Sequence, residues 1–170
     1  SYTQGPSYFF RRLAMSSSTV PALILASKSS ARRSLLESAG LRFDQQAAEV
    51  DERAVELPLL AAGMSTSDIA DVLAQAKALD VSARNKDVFV IGADQTMSFI
   101  ENGEEKRFDK PNDMDAARRQ LLALRGRQHT LHAAVCVVKN NELIWSYSSD
   151  AHLTMRDFSP AFVGQYLADV

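Results

Sequence analysis

Several short groups of residues carry side chains suited to phosphate chemistry. Ser27-Lys28-Ser29-Ser30-Ala31-Arg32-Arg33 follows the apolar run Leu23–Ala26 and precedes a helical apolar pattern. A strand, a tight turn and a helix start in that order place unpaired N–H groups and a partial positive charge at the turn. Ser27 and Ser29 hydroxyls beside the Arg32 and Arg33 guanidinium groups would then receive phosphate oxygens, which arginine binds bidentately. The plainer alternative is a serine-capped surface helix with two solvated arginines. Asp51-Glu52 follows an apolar valine. Paired acids are usually solvated, but at a strand end near a phosphate site they could hold a divalent cation. Asp94 comes after Val88-Phe89-Val90-Ile91-Gly92-Ala93. An acid at the end of a buried strand is a candidate metal ligand or general base, and otherwise a turn former. Lys77 and Lys110 are the remaining cations of interest. Lys77 falls between apolar stripe positions, where a lysine ordinarily snorkels to water. Lys110 precedes Pro111, which stiffens the segment and could aim the lysine at a pocket or simply shape a loop.

These groups need elements to carry them. Leu23–Ala26 reads as a central strand, followed by a helix over about residues 30–39 that stops at Gly40. Residues 41–50 read as extended, anchored by Phe43. Residues 53–66, with Pro58 and Gly63, read as a connector. A helix over 68–83, capped by Ser67, has the stripe Ile69, Val72, Leu73, Ala76 and Leu79. A strand over 88–93 ends at Asp94, where ligands gather in open α/β sheets and Gly92 would admit a close approach. A further strand spans 96–104 with a turn at Asn102-Gly103. Asp113 caps a helix over 114–124. Strands over 129–138 and 143–155 flank Asn140-Asn141, and Ser159-Pro160 opens a last helix. His129 and His132 have no metal-ligand partner set and read as structural or surface residues.

The totals narrow the function. With 170 residues, 46% hydrophobic and 24% charged, the chain suits one domain with a sizeable core. A net charge of −2 gives no global sign of nucleic-acid or membrane binding, so an anionic substrate needs local basic groups. The single Cys136 excludes an intrachain disulfide and a cysteine-cluster metal site, and reads as a buried inert thiol. The composition suits a reducing cytoplasm. No apolar run approaches the roughly 20 residues that span a bilayer. Residues 1–19 read as an extension or disordered tail, with the natural start near Met15, leaving 20–170 as one domain.

Taken together, Leu25-Ala26-Ser27-Lys28-Ser29-Ser30-Ala31-Arg32-Arg33, Val50-Asp51-Glu52, Ala76-Lys77-Ala78, Ile91-Gly92-Ala93-Asp94-Gln95-Thr96, Asp109-Lys110-Pro111 and Leu124-Arg125-Gly126-Arg127-Gln128-His129 resemble the motifs of the Maf family of nucleotide pyrophosphatases. The resemblance runs from about residue 22 to the end of the chain. The opening motif departs from it at Ser30, where the family commonly has proline. The residue before the arginine pair, Ala31, and Gln95 after Asp94 look like the branch associated with 7-methyl-GTP. The resemblance implies an α/β fold, a mixed β-sheet with flanking helices in two lobes around a nucleotide cleft. It implies hydrolysis of a nucleoside triphosphate to the monophosphate and pyrophosphate, with Mg²⁺ or Mn²⁺ as cofactor, often in a homodimer. Ser27, Ser29, Arg32 and Arg33 would cradle the triphosphate. Lys77 and Lys110 would neutralise charge on the leaving pyrophosphate. Asp94 would activate water, and Glu52 and Asp94 would hold the metal. Ala31 and Gln95 would tune base choice.

The family continues past the Tyr166 helix, so the domain is expected to be incomplete at its C-terminal end, with sheet edges and apolar helix faces uncovered. A competing expectation is a non-catalytic nucleotide-binding regulator of cell division. Asp94, Glu52, Lys77 and Lys110 favour the enzyme, because a pure binder has no need of an acid beside the phosphate site.

Overall fold

The structure, a computed structural model, describes residues 23–169; the proposed extension over 1–19 lies outside them. Its axis is one strand. Phe89–Glu101 forms a continuous β3, pairing on one edge with β5 (Gln128–Lys139) and on the other first with β1 (Leu23–Leu25) and then with β4 (Glu104–Phe108). β1 pairs in parallel with β3 and with β2 (Asp44–Gln45), while β4, β5 and β6 (Glu142–Thr154) join antiparallel. The result is a six-stranded mixed sheet ordered β2-β1-β3-β5-β6, with β4 on the β1 side of β3. The helices are α1 (Ser30–Ser38), α2 (Glu52–Ala61), α3 (Thr66–Ala83), α4 (Met114–Leu124) and α5 (Pro160–Ala168). The expected mixed α/β class holds.

Local chemistry explains most boundaries. Ser29, Asp51, Ser65, Asp113 and Ser159 each accept a backbone N–H at a helix start. Asn102-Gly103 and Asn140-Asn141 close hairpins in the left-handed region, which asparagine and glycine tolerate. α3 buries Ile69, Ala70, Leu73, Ala74, Ala78 and Val81 against the sheet. The core there joins Ile24, Val90, Ala134, Cys136 and Val138.

Gly92 sets how close α3 lies. A Cβ at that position would fall 2.2 Å from the Ala74 carbonyl oxygen and 2.7 Å from Ala78 Cβ. The close approach expected at Gly92 is therefore made by a helix, not by a ligand.

Several expectations are corrected. Residues 53–66 are not a connector: Asp51 caps α2, and Pro58 is accommodated inside it. Glu52 thus stands in a helix's first turn, not at a strand end. The cap of α3 is Ser65, not Ser67, and its buried stripe is shifted, leaving Leu79 exposed. The strands expected over 88–93 and 96–104 are a single β3, so Asp94 lies mid-strand. The polar inward positions hide this continuity. Asp94, Thr96 and Ser98 are all buried, and each has a partner: Lys77, the Thr66 carbonyl and Glu105. Residues 41–50 contain only the two-residue strand β2.

Candidate active site

The turn after β1, the first turns of α1 and α2, the middle of α3, β3 and the end of β4 meet around a cavity of about 690 Å³. Ser29, Ala31, Arg32, Glu52, Lys77, Asp94, Gln95 and Lys110 all line it. A neighbouring hollow of about 500 Å³ is bounded by Ser27 and Lys28 and shares Ser29, Arg32, Glu52, Lys77 and Lys110. Residues spread over more than eighty positions of sequence are thereby brought to one place.

At the centre is a three-membered charge cluster. Lys77 Nζ donates to Asp94 Oδ1 at 2.6 Å and lies 3.0 Å from Glu52 Oε1. Gly92 explains the geometry: with Ala74 and Ala78 against the β3 backbone, Lys77 on the same stretch of α3 reaches Asp94 two residues further along the strand. Asp94 is 7% exposed. Burial pushes its carboxyl above the ordinary aspartate range, the Lys77 hydrogen bond and charge pull it back, and nearby Glu52 pushes it up; the net direction is up. That direction suits a proton acceptor.

The end expected to receive phosphate oxygens is built on the turn. Ser27 Oγ accepts from the Ser29 N–H at 3.1 Å and from Arg32 Nη1 at 3.3 Å. Ser29 Oγ caps α1 by accepting from the Arg32 N–H at 3.3 Å. Gln45 Nε2 donates to the Ser27 carbonyl at 2.6 Å, pinning the turn to β2. Arg33 is placed differently. It is exposed, its Nε donates to Glu37 Oε1 at 2.8 Å, and it lines neither hollow. The Glu37 contact raises its guanidinium further above its ordinary value.

The residues expected to hold a metal fit one in part. Glu52 and Asp94 converge on a single ammonium, so both carboxylates lie within reach of one cation. Oxygen donors suit a hard divalent ion, and Mg²⁺ keeps several waters rather than demanding an all-protein cage. No cluster of three or more His, Cys, Asp or Glu residues suited to a metal occurs among the described residues.

Sequence reading missed Glu56, Arg107 and Gln120, which also line the cavity. Glu56 lies at helical spacing from Glu52, but Pro58 masked the helix. Cys136 is buried and its thiol is pushed up to about 11, chiefly by burial, in keeping with an inert thiol. His132 is a buried structural residue, bonded to Ser98 and Asp150.

With this geometry in hand, the comparisons are specific. The family model described as Maf-like protein matches residues 22–170. The chain is 47% identical over 148 residues to the 7-methyl-GTP pyrophosphatase of Brucella abortus biovar 1 (strain 9-941), covering 87% of this chain and 72% of that protein. It is 43% identical over 144 residues to the nucleoside triphosphate pyrophosphatase of Paramagnetospirillum magneticum (strain ATCC 700264 / AMB-1), covering 85% and 72%. Among solved structures, the Staphylococcus aureus Ham1 protein overlaps with a TM-score of 0.44 at 16% identity, over 77% of this chain and 69% of that one.

Proposed function

Because this chain belongs to the Maf-like protein family, we propose that it hydrolyses nucleoside triphosphates to the monophosphate and pyrophosphate, as a house-cleaning enzyme whose substrates include 7-methyl-GTP. The observation that carries the reading is the Lys77 bridge between buried Asp94 and Glu52 on the wall of a cavity entered by the first turn of α1. A cavity that only stored a nucleotide would gain nothing from two carboxylates facing its phosphates, since like charges there oppose binding.

The triphosphate lies along the first turn of α1, with Arg32 and the turn's N–H groups on its oxygens. Arg33 joins by letting go of Glu37, an exposed pair of a kind that is weakly held. Asp94 accepts the proton of the attacking water. Water's oxygen bonds to the α-phosphorus, the α–β anhydride bond breaks, and its electron pair leaves on the pyrophosphate. Lys77 and Lys110 offset the charge that develops on that leaving group. Glu52 and Asp94 would hold Mg²⁺ or Mn²⁺, which when bound supplies electrostatic stabilisation of phosphate oxygens and acidifies water. Ala31 and Gln95, on the same wall, contact the base end. A homodimer in the cytoplasm belongs to the same reading. No helix among the described residues is long and apolar enough to cross a membrane.

The test is pyrophosphate release from a panel including 7-methyl-GTP, dTTP and UTP with Mn²⁺, for the native chain and Asp94→Asn. Turnover falling on the order of 10²–10⁴-fold in the variant is expected for loss of a general base. Nucleotide binding without turnover by the folded native chain would replace the enzyme with the nucleotide-binding regulator.

A further inference from the structure

α2 is an unusual helix. Its one buried residue is a charged glutamate, Glu56, 7% exposed, while Leu57 and Leu60 are exposed. Its apolar packing rests on Val55 and Leu59, both only half-buried, so the core holds it weakly. Glu56 instead accepts from Arg107 Nη2 on β4 at 2.5 Å. The Nε and Nη1 groups of Arg107 are buried without a hydrogen-bond partner, so Glu56 carries the whole burden of satisfying that guanidinium. Burial disfavours the charge on Arg107, but Glu56, Asp109 and Asp94 more than offset this and its guanidinium is held firmly protonated.

The two partners sit beside functional groups. Glu56 is one turn after Glu52, the spacing that puts both on one helix face. Arg107 is three residues before Lys110. An exposed pair of opposite sense, Arg53 with Asp109 at 4.0 Å, spans the same gap, and Gln120 Nε2 donates to the Asp109 carbonyl at 2.5 Å. The Lys77–Asp94 side of the cavity is fixed by backbone contact at Gly92. Glu52 has no such contact with β3, and Lys110 stands two residues beyond the end of the β3–β4 ladder, so the spacing between the two depends on side chains.

We propose that the Glu56–Arg107 pair is a positioning clasp, which sets the spacing of Glu52 from Lys110 and so determines how tightly the cavity grips a cation–pyrophosphate unit. It rests on the pyrophosphatase reading, because it assigns Glu52 and Lys110 to that unit. Neither clasp residue is asked to touch the reacting atoms. α2 contributes only the half-buried Val55 and Leu59 to apolar packing, so loosening the clasp alters the cavity more than it alters the fold.

The test is calorimetric binding of pyrophosphate with Mn²⁺, together with KM and kcat on the best nucleotide, for the native chain, Arg107→Met, Arg107→Lys and the double variant Glu56→Gln/Arg107→Met. The double variant keeps the chain folded without an uncompensated buried charge. Expected is a loss of pyrophosphate affinity of about 10–100-fold for Arg107→Met and the double variant, the range seen when outer partners of ligands are removed. KM should rise with it, and Arg107→Lys should restore most of the affinity by keeping the charge. Native-like affinity and KM in Arg107→Met and in the double variant would overturn the clasp. So would a fall in melting temperature with affinity unchanged in the folded fraction, which is what a purely structural pair predicts. Pyrophosphate binding does not depend on turnover: a native chain that binds it but hydrolyses no nucleotide overturns the enzyme and leaves the clasp to be judged on binding. A native chain that binds no pyrophosphate overturns both.

Discussion

β3 and β6 are equally long strands of one sheet, thirteen residues each, and the structure treats them oppositely. On β3 the residues facing α3 are buried, and these include Asp94, Thr96 and Ser98. Every residue of β6 is exposed, and these include Ile144, Trp145, Tyr147 and Leu153. Trp145 and Tyr147 stack on each other, 6.1 Å between centroids, rather than into a core. The difference teaches that burial here follows which element lies opposite, not side-chain polarity. α3 crosses β3 and supplies Lys77 and the Thr66 carbonyl to the polar groups it covers. Opposite β6, α3 supplies a single hydrogen-bond partner, Asp71 for Ser148. Polar groups inside and apolar groups outside mark a site in the first region and an uncovered face in the second.

Gly92→Ala should break the comparison most severely. A Cβ there meets backbone, which cannot swing aside, so α3 must shift. Overpacking of this kind costs about 1–3 kcal/mol, and the shift also moves Lys77 from Asp94. Chemical denaturation read alongside turnover should show both losses together. Turnover that survives intact would mean the α3–β3 spacing does not set the site.

Lys77→Met should sharpen it. Asp94 must be unprotonated to accept a proton, so activity falls as pH drops through its raised value. Removing Lys77 removes the chief influence that lowers that value, and the acid limb of kcat/KM should move to higher pH. An unmoved limb would assign it to another group.

Asp94→Asn should be smaller in stability and of opposite sign to its effect on turnover. A carboxyl whose folded value is raised binds its proton more tightly when folded. Its stabilising contribution is therefore complete below the unfolded value near 4 and is lost as pH rises through the folded one. The amide stays uncharged, so at neutral pH the variant should melt no lower than the native chain, and any advantage should vanish in acid. A marked drop in melting temperature at neutral pH would show that the Lys77 contact outweighs burial.

Trp145→Ser should do least. An exposed residue away from caps, core and buried networks is expected to change stability by about 0.5 kcal/mol or less. A loss well beyond that would show that the β6 face is covered in solution.

How much of this was legible in the sequence follows the same division. Caps and turns were readable because they depend on neighbours in sequence: Asp113, Ser159-Pro160, Asn102-Gly103 and Asn140-Asn141 stand where expected. The residues of the cavity were readable as chemistry, Asp94 and Lys77 above all. Their setting was not. Asp94 mimicked a strand end because its inward neighbours Thr96 and Ser98 are polar, and their partners lie about thirty and seven residues away, at Thr66 and Glu105. Pro58 hid α2, and with it the spacing that joins Glu52 to Glu56. Arg33 carries the expected charge, but its pairing with Glu37 one turn on, on a helix with no buried residue, is not written in a hydrophobic stripe.

The short β1 has a consequence for the order in which the molecule comes apart. β5 joins β3 through ten antiparallel pairs and β6 through twelve, and β4 joins β3 through five. β1 is joined to β3 at only three residues, and α1 buries none. Ile24, Leu25 and Ala26 are buried in the core, so β1 itself is held, whereas the serine turn beyond it leads into a helix with no buried residue and should open locally, with amide hydrogens exchanging, well before the α3–β3 region does. On the proposed reading, a bound triphosphate touches that turn and the Lys77–Asp94 wall at once. It should slow exchange across residues 25–36 in proportion to its occupancy, so that the substrate completes the fold of the pocket that receives it.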